Sequence, residues 1–219
     1  MATEDLISTL SERFNTNGLT IQRKYTYPGK NPLDELEYEK RSCIIAEPNG
    51  KVVFQLKDIE VPKSWTQLAT DIIASKYFRK AGVPGTGNEV SARQTVTRIA
   101  RSIALAGQSM GYFSSAENAE SFQAELTHML ITQKGAFNSP VWFNCGLYHE
   151  YGIQGTGGNW CWDFETSQVI QTTSAYIRPQ CSACFIQSIR DDLGSIFDLV
   201  KSEARRFTYG AGTGPNFTA

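Results

Sequence analysis

Apolar positions in residues 4–14 recur at helical spacing, with Leu6, Ile7, Leu10 and Phe14 on one face and Gly18 beyond the end. Residues 19–40 carry Tyr25, Tyr27, Pro28, Gly29 and Pro32 and read as a strand entering a loop. Two apolar runs follow, at residues 43–46 and 52–56, separated by Glu47-Pro-Asn-Gly50. Asn-Gly between apolar runs predicts a hairpin near 41–56. Three helices come next, each opened by a capping-box pattern: Ser64-Trp-Thr-Gln67, Ser91-Ala-Arg-Gln94 and Ser114-Ser-Ala-Glu117. The first runs to about Lys80 with Leu68, Ile72 and Ile73 inward. The second reaches Met110, stopped by Gly111, and the third Lys134, stopped by Gly135. Phe122, Leu126, Met129 and Leu130 give the third helix its apolar stripe, and His128 beside that stripe reads as structural.

The texture changes after Gly135. Residues 136–144 are apolar, β-prone and interrupted by Pro140. Residues 146–180 form a Gly-, Thr- and Trp-rich excursion, too long for a simple turn, with a small hairpin expected at 160–164 and 168–172. Residues 183–189 read as a buried strand. Asp191 or Asp192 then caps a helix bearing Leu193, Ile196, Phe197 and Val200 and ending near Phe207. A glycine run, Gly210-Ala-Gly-Thr-Gly214, leads into the start of another strand. Strand, helix, glycine loop and strand make one βαβ unit opened at its second strand. The fold class expected is α/β: a mainly helical part over 1–135 with a small β element, then over 136–219 the first strands of an incomplete sheet or barrel, with the loop 146–180 inserted.

Composition narrows the function classes. Lys and Arg number 21 and Asp and Glu 22, so the net charge is -1, which argues against a nucleic-acid binder. Hydrophobic residues make up 41%, enough to bury a core. No apolar run reaches the length of a membrane span, and the acidic start is no secretory signal. Five cysteines, Cys43, Cys145, Cys161, Cys181 and Cys184, are an odd count that favours a reducing, cytoplasmic compartment. Cys181-Ser-Ala-Cys184 alone has paired spacing. It is a weak zinc signal without a second pair, although Cys145, Cys161, His128 and His149 are available as further ligands. The glycine run is no Walker loop, since no Lys-Ser/Thr follows, and no Rossmann fingerprint, since no strand precedes it. Its alternative is a loop that needs positive φ.

Three motifs in order are more specific than any one alone: Phe137-Asn-Ser-Pro-Val-Trp-Phe-Asn144, Pro179-Gln-Cys-Ser-Ala-Cys-Phe-Ile186, and Phe207-Thr-Tyr-Gly-Ala-Gly-Thr-Gly-Pro-Asn-Phe217. Together they resemble the catalytic chain of ribonucleotide reductase, and are most similar to the long form of the adenosylcobalamin-dependent, class II enzyme. The resemblance extends through Val61-Pro-Lys-Ser-Trp-Thr-Gln-Leu-Ala69, Ala124-Glu-Leu-Thr-His-Met-Leu130 and the 155–162 excursion, covering the chain from about residue 19. It implies a helical N-terminal domain before a ten-stranded α/β barrel. It also implies thiyl-radical reduction of a ribonucleotide, with two further cysteines supplying electrons.

By that resemblance Cys184 matches the first of the redox pair. Ser139, Ala183, Cys184 and Gly212 match contacts to the nucleotide, and Asp191 matches the site of a deoxynucleotide effector. No metal-binding residue is implied. Pro215 departs from the family's glycine loop, and its missing amide leaves the phosphate contacts there in doubt. The radical cysteine, its neighbouring Asn and Glu, the second redox cysteine and a C-terminal phosphate loop have no counterpart in the 219 residues, nor is there an ATP-cone pattern. The implied partners are a complementary C-terminal portion that holds most of the adenosylcobalamin, a ribonucleotide of either phosphorylation state, and a dithiol such as thioredoxin. A homodimer stays open. Two alternatives stand beside this: a non-catalytic remnant that binds nucleotide or protein, and a small zinc module using Cys181 and Cys184.

Overall fold

The computed structural model describes residues 13–163, 165–208 and 210–217. The helix expected over 4–14 lies almost wholly outside them. Within them the hairpin forms as β1 (Tyr38–Ala46) and β2 (Val52–Pro62), antiparallel, with Cys43 facing Leu56 and Tyr38 facing Pro62. Its inner end is buried through Cys43, Ile59 and Val61, while its tip stands in solvent with Ile44 and Val53 exposed. Residues 19–36, expected to begin as a strand, are irregular and lie along a helix instead. Their amides find side-chain acceptors rather than a strand partner: Ile21 N donates to Asn118 Oδ1 at 2.7 Å, and Lys24, Tyr25 and Thr26 N all donate to Glu125 Oε1 at 2.9–3.0 Å.

Helix α1 (Gln67–Ile72) is capped by Thr66, whose side chain accepts from Ala69 N, and not by Ser64 as the capping-box pattern suggested. It widens into a π-turn over Ile73–Tyr77 and goes no further. Ile73, expected inside, is buried there together with Ala74, whereas Leu68 and Ile72, also expected inside, are exposed. Helix α2 (Ala92–Ser109) keeps the expected capping box of Ser91 and Gln94. Helix α3 (Ala116–Ile131) packs along it and is capped by Ser115. It stops three residues before Lys134, because Gln133, at φ 58, already takes the left-handed position expected of Gly135. His128 stacks on Tyr25 at 5.1 Å between centroids, the structural role expected of it. The core gathers β1, β2 and these helices through Ile59, Val61, Trp65, Ile73, Ile99 and Leu130, and it takes in Val141 and Trp142 from beyond the bundle.

Residues 139–144 form helix α4 (Ser139–Asn144), not the β-prone run expected. Asn138 caps it and Pro140 sits in its first turn, where a missing amide costs nothing. Helix α5 (Leu147–Tyr151) follows. The excursion folds its hairpin, β3 (Trp160–Asp163) against β4 (Gln168–Gln171). Then β5 (Cys184–Ser188), helix α6 (Leu193–Thr208) and β6 (Gly212–Asn216) form a parallel βαβ unit. Two points differ from expectation. β5 is not buried, Ile186 being 85% exposed, because no layer among the described residues covers its outer face. The glycine run is not a loop but mostly strand, with Gly210 alone at positive φ. Sheets among the described residues have two strands each and none closes into a barrel.

Candidate active site

Ser139 is the first residue of α4, and its Oγ lies 3.1 Å from the Tyr77 hydroxyl at the end of the π-turn. Tyr77 also packs on Trp142 and Phe143, so one aromatic side chain fixes both ends of the short helix. An apolar cavity of about 280 Å³ opens beside it, lined by Trp65, Ile73, Tyr77, Phe137 and Trp142 among others.

The carbonyl end of α4 is held by Arg98 from the middle of α2. Its guanidinium donates to Cys145 O at 2.6 Å and to Trp142 O at 2.8 Å, and pairs with Glu89 at 2.7 Å. Both side chains of the pair are 0% exposed. Glu89 in turn accepts from Arg79 N and from the Tyr151 hydroxyl. Burial, with the Glu89 carboxylate second, pushes the Tyr151 hydroxyl far up, so it stays a donor. A buried charge is tolerable only when paired and hydrogen-bonded, and here each is. Helix-end carbonyls have no intrahelical partner, and Arg98 supplies one. The chain leaves α4 through Gly146, at φ 82, where a Cβ would stand 2.3 Å from Arg98 O; no side chain fits.

The other half of the site is the β5–β6 pair. Its register sets Cys184 opposite Gly212, Phe185 opposite Thr213 and Gln187 opposite Pro215. Gly212 N donates to Ala183 O, and Gln187 Nε2 donates to Thr213 Oγ1 at 2.8 Å. Cys184 is exposed, at the entry of its strand. Pro215 sits within β6, where its lack of an amide is tolerated at a sheet edge. Two contacts bring this pair to α4: a Cβ on Gly210 would meet Phe143 at 2.9 Å, and Asn144 Nδ2 donates to Gln180 O at 3.0 Å. Ser139 on α4, and Ala183, Cys184 and Gly212 at the β5–β6 pair, therefore lie on neighbouring parts of the fold.

At the opposite end of β5 a polar cavity of about 460 Å³ is lined by Ser188, Arg190, Asp192, Ser195 and Asp198 among others. Asp192 caps α6 by accepting from Ser195 N at 2.8 Å. Asp191 and Asp192 are both exposed, and it is Asp192 that accepts the capping hydrogen bond. Helix α6 buries Leu199 and leaves Leu193, Phe197 and Val200 bare. No group of three or more His, Cys, Asp and Glu among the described residues is placed to hold a metal ion, so the four-ligand set of the zinc alternative is not assembled. No helix among them is long and apolar enough to cross a membrane.

Sequence reasoning missed Tyr77, Glu89 and Arg98. The signal for Arg98 was present: a cation among Val96, Ile99 and Ala100 in a helix whose neighbours are apolar. For Tyr77 and Glu89 there was none, since their roles come from tertiary contact alone.

The structure thus sets an exposed cysteine across from a glycine-rich strand, with the helix that begins at Ser139 next to them. A family model described as class II vitamin B12-dependent ribonucleotide reductase matches residues 39–133. A vitamin B12-dependent ribonucleotide reductase of Agrobacterium fabrum is 42% identical over 91% of this chain and 19% of its own length. Those of Rhodopirellula baltica and Streptomyces coelicolor are 40% and 36% identical, each over 92% of this chain. The chain belongs to the vitamin B12-dependent ribonucleotide reductase family, and spans about a fifth of the length of these relatives.

Proposed function

We propose that this chain supplies the substrate-side half of a ribonucleotide reductase centre, with Cys184 as one of two cysteines that deliver electrons. The observation that carries this reading is the parallel register of β5 and β6, which sets Cys184 across from Gly212 while Ala183 O holds the Gly212 amide. Removal of the ribose 2′-hydroxyl as water consumes two electrons. A thiol able to close a disulfide with a second cysteine provides them, and that thiol must be accessible, as Cys184 is. Ser139, Ala183 and Gly212 contact the nucleotide, with the Tyr77 hydroxyl holding Ser139 in place.

The second cysteine and the radical cysteine come from a complementary C-terminal portion, which completes an α/β barrel onto the bare face of β5. That portion also binds most of the adenosylcobalamin. The apolar cavity beside Ser139, about 280 Å³, is smaller than an ordinary ligand pocket and cannot admit a corrin. The residues lining that cavity do not fit the cofactor. A deoxynucleotide effector binds near Asp191, at the polar cavity between β5 and α6. The bare apolar face of α6 pairs with a second copy in a homodimer. A dithiol such as thioredoxin restores the cysteines, in the cytoplasm.

The test is reduction of CDP and CTP with adenosylcobalamin and a dithiol, by the chain alone and mixed with the C-terminal portion of a relative. Activity in the mixture alone, abolished by Cys184→Ser and weakened in KM by Ser139→Ala, is the expected result. Equal activity of Cys184→Ser in the mixture would remove Cys184 as the reductant; no activity and no complex between the portions would leave the chain a non-catalytic nucleotide- or protein-binding remnant.

A further inference from the structure

The apolar cavity beside Ser139 lies where the π-turn, the end of α3 and the run into α4 meet, and four of its lining residues are aromatic: Trp65, Tyr77, Phe137 and Trp142. The polar atoms of these rings are already engaged. Trp65 Nε1 donates to Ile131 O at 2.8 Å, Trp142 Nε1 donates to Phe137 O at 2.9 Å, and the Tyr77 hydroxyl pairs with Ser139 Oγ. What the rings offer a ligand is carbon surface. No charged side chain is among the lining residues, so an ion entering the cavity loses its water and gains no partner. Beyond the rings, the one polar side chain in the lining is Gln133, which is exposed and therefore stands at the mouth.

We infer that this cavity binds a neutral purine base, adenine in preference to guanine, as the base of a nucleoside whose sugar stays outside. Size sets the first limit. An apolar cavity of ~150 Å³ holds one benzene ring. About 280 Å³ takes two fused rings and leaves no room for a sugar and phosphate as well. Walls of ring and aliphatic carbon around a few polar groups are the usual make-up of such a site, and aromatic side chains stack on the face of any base.

Gln133 sets the preference among bases. Its carboxamide carries one acceptor and two donor hydrogens, and it matches the adenine edge, where N6–H donates and N7 accepts. Guanine presents two acceptors, O6 and N7, on that edge, so the Gln133 carbonyl oxygen would face another acceptor. A pyrimidine fills only part of the space, and indole offers a single N–H to the amide. A nucleoside phosphate keeps its charge in solvent, because the lining supplies no cation. The inference is independent of Cys184: a nucleoside can bind here whether or not the chain reduces nucleotides.

Titrating the chain, labelled with 15N at its indole nitrogens, with adenosine and following the N–H signals by NMR tests this. The expected result is a saturable shift of the Trp65 and Trp142 signals, with those of Trp160 and Trp162 on the exposed β3 unmoved. Guanosine and cytidine should bind more weakly. Gln133→Met should weaken adenosine about tenfold and leave the binding of indole unchanged. Ala69→Phe, which puts a ring into the cavity, should abolish both. Still signals for Trp65 and Trp142 at high adenosine, or shifts confined to Trp160 and Trp162, would overturn the inference, as would equal adenosine binding by Gln133→Met. The wild-type titration decides it even if a variant folds poorly.

Discussion

Replacing Arg98 by methionine keeps most of the side chain's length and removes its charge. The structure sets the cost. Glu89 is left at 0% exposure with no cation beside it, and Trp142 O and Cys145 O lose donors at 2.8 and 2.6 Å. Breaking a buried pair from one side costs about 3–5 kcal/mol, mostly the stranded charge. Against the roughly 5–15 kcal/mol that holds a domain together, Arg98→Met should lower the urea midpoint severely. Adding Glu89→Gln removes the stranded charge while its amide oxygen still accepts from Arg79 N or Tyr151. The double variant should therefore be more stable than Arg98→Met alone. Urea unfolding followed by tryptophan fluorescence measures both, since Trp142 and Trp65 sit in the affected core. A loss below about 1 kcal/mol for Arg98→Met, or a double variant that loses the sum of the singles, would refute the claim that the pair is what anchors α4.

Other predictions rest on separate contacts. Burial would raise the Glu125 carboxyl, but hydrogen bonds from Thr26, Tyr25 and Lys24 outweigh it and hold it below the ordinary 4.5. Its stabilisation is complete above that value and lost as pH falls through the depressed folded value, so Glu125→Gln should flatten the acid limb of stability and cost about 1–3 kcal/mol at neutral pH; an unchanged acid limb counts against the reading. Gly146→Ala should cost more stability than the ~1–2 kcal/mol of a left-handed backbone alone, because Arg98 O blocks the methyl group, and thermal unfolding reads this as a lower midpoint. Iodoacetamide should label Cys184 well before Cys43, which is fully buried and pushed up to about 11 by burial; equal rates would contradict the exposure of β5.

What the sequence revealed follows from where its information is local. The hairpin was legible because Asn49-Gly50 sits at its turn, and α2 because Ser91 and Gln94 close their box within one turn. The β5–α6–β6 unit was legible from its apolar spacing, although the glycine run, read as a loop before the second strand, is itself β6 from Gly212 onward. What failed was decided by packing. Residues 139–144 have a β-prone composition, yet Asn138 at the cap, Pro140 in the first turn and Arg98 on the far carbonyls make them helical. The inward face of α1 was legible at Ile73 and missed at Leu68 and Ile72, and no residue in 64–80 announces the π-turn that ends the helix. At the site, Cys184, Ser139, Ala183 and Gly212 came from a resemblance.

On the proposed reading, Cys184 delivers electrons to a nucleotide. A single turnover by the complex of this chain with its complementary portion, carried out without dithiol and followed by acid quenching and peptide mapping, tests it most directly. The prediction is one disulfide per deoxynucleotide formed, joining Cys184 to a cysteine of the complementary portion, with Cys43 and Cys161 still free. Deoxynucleotide formed while Cys184 remains a thiol would contradict it.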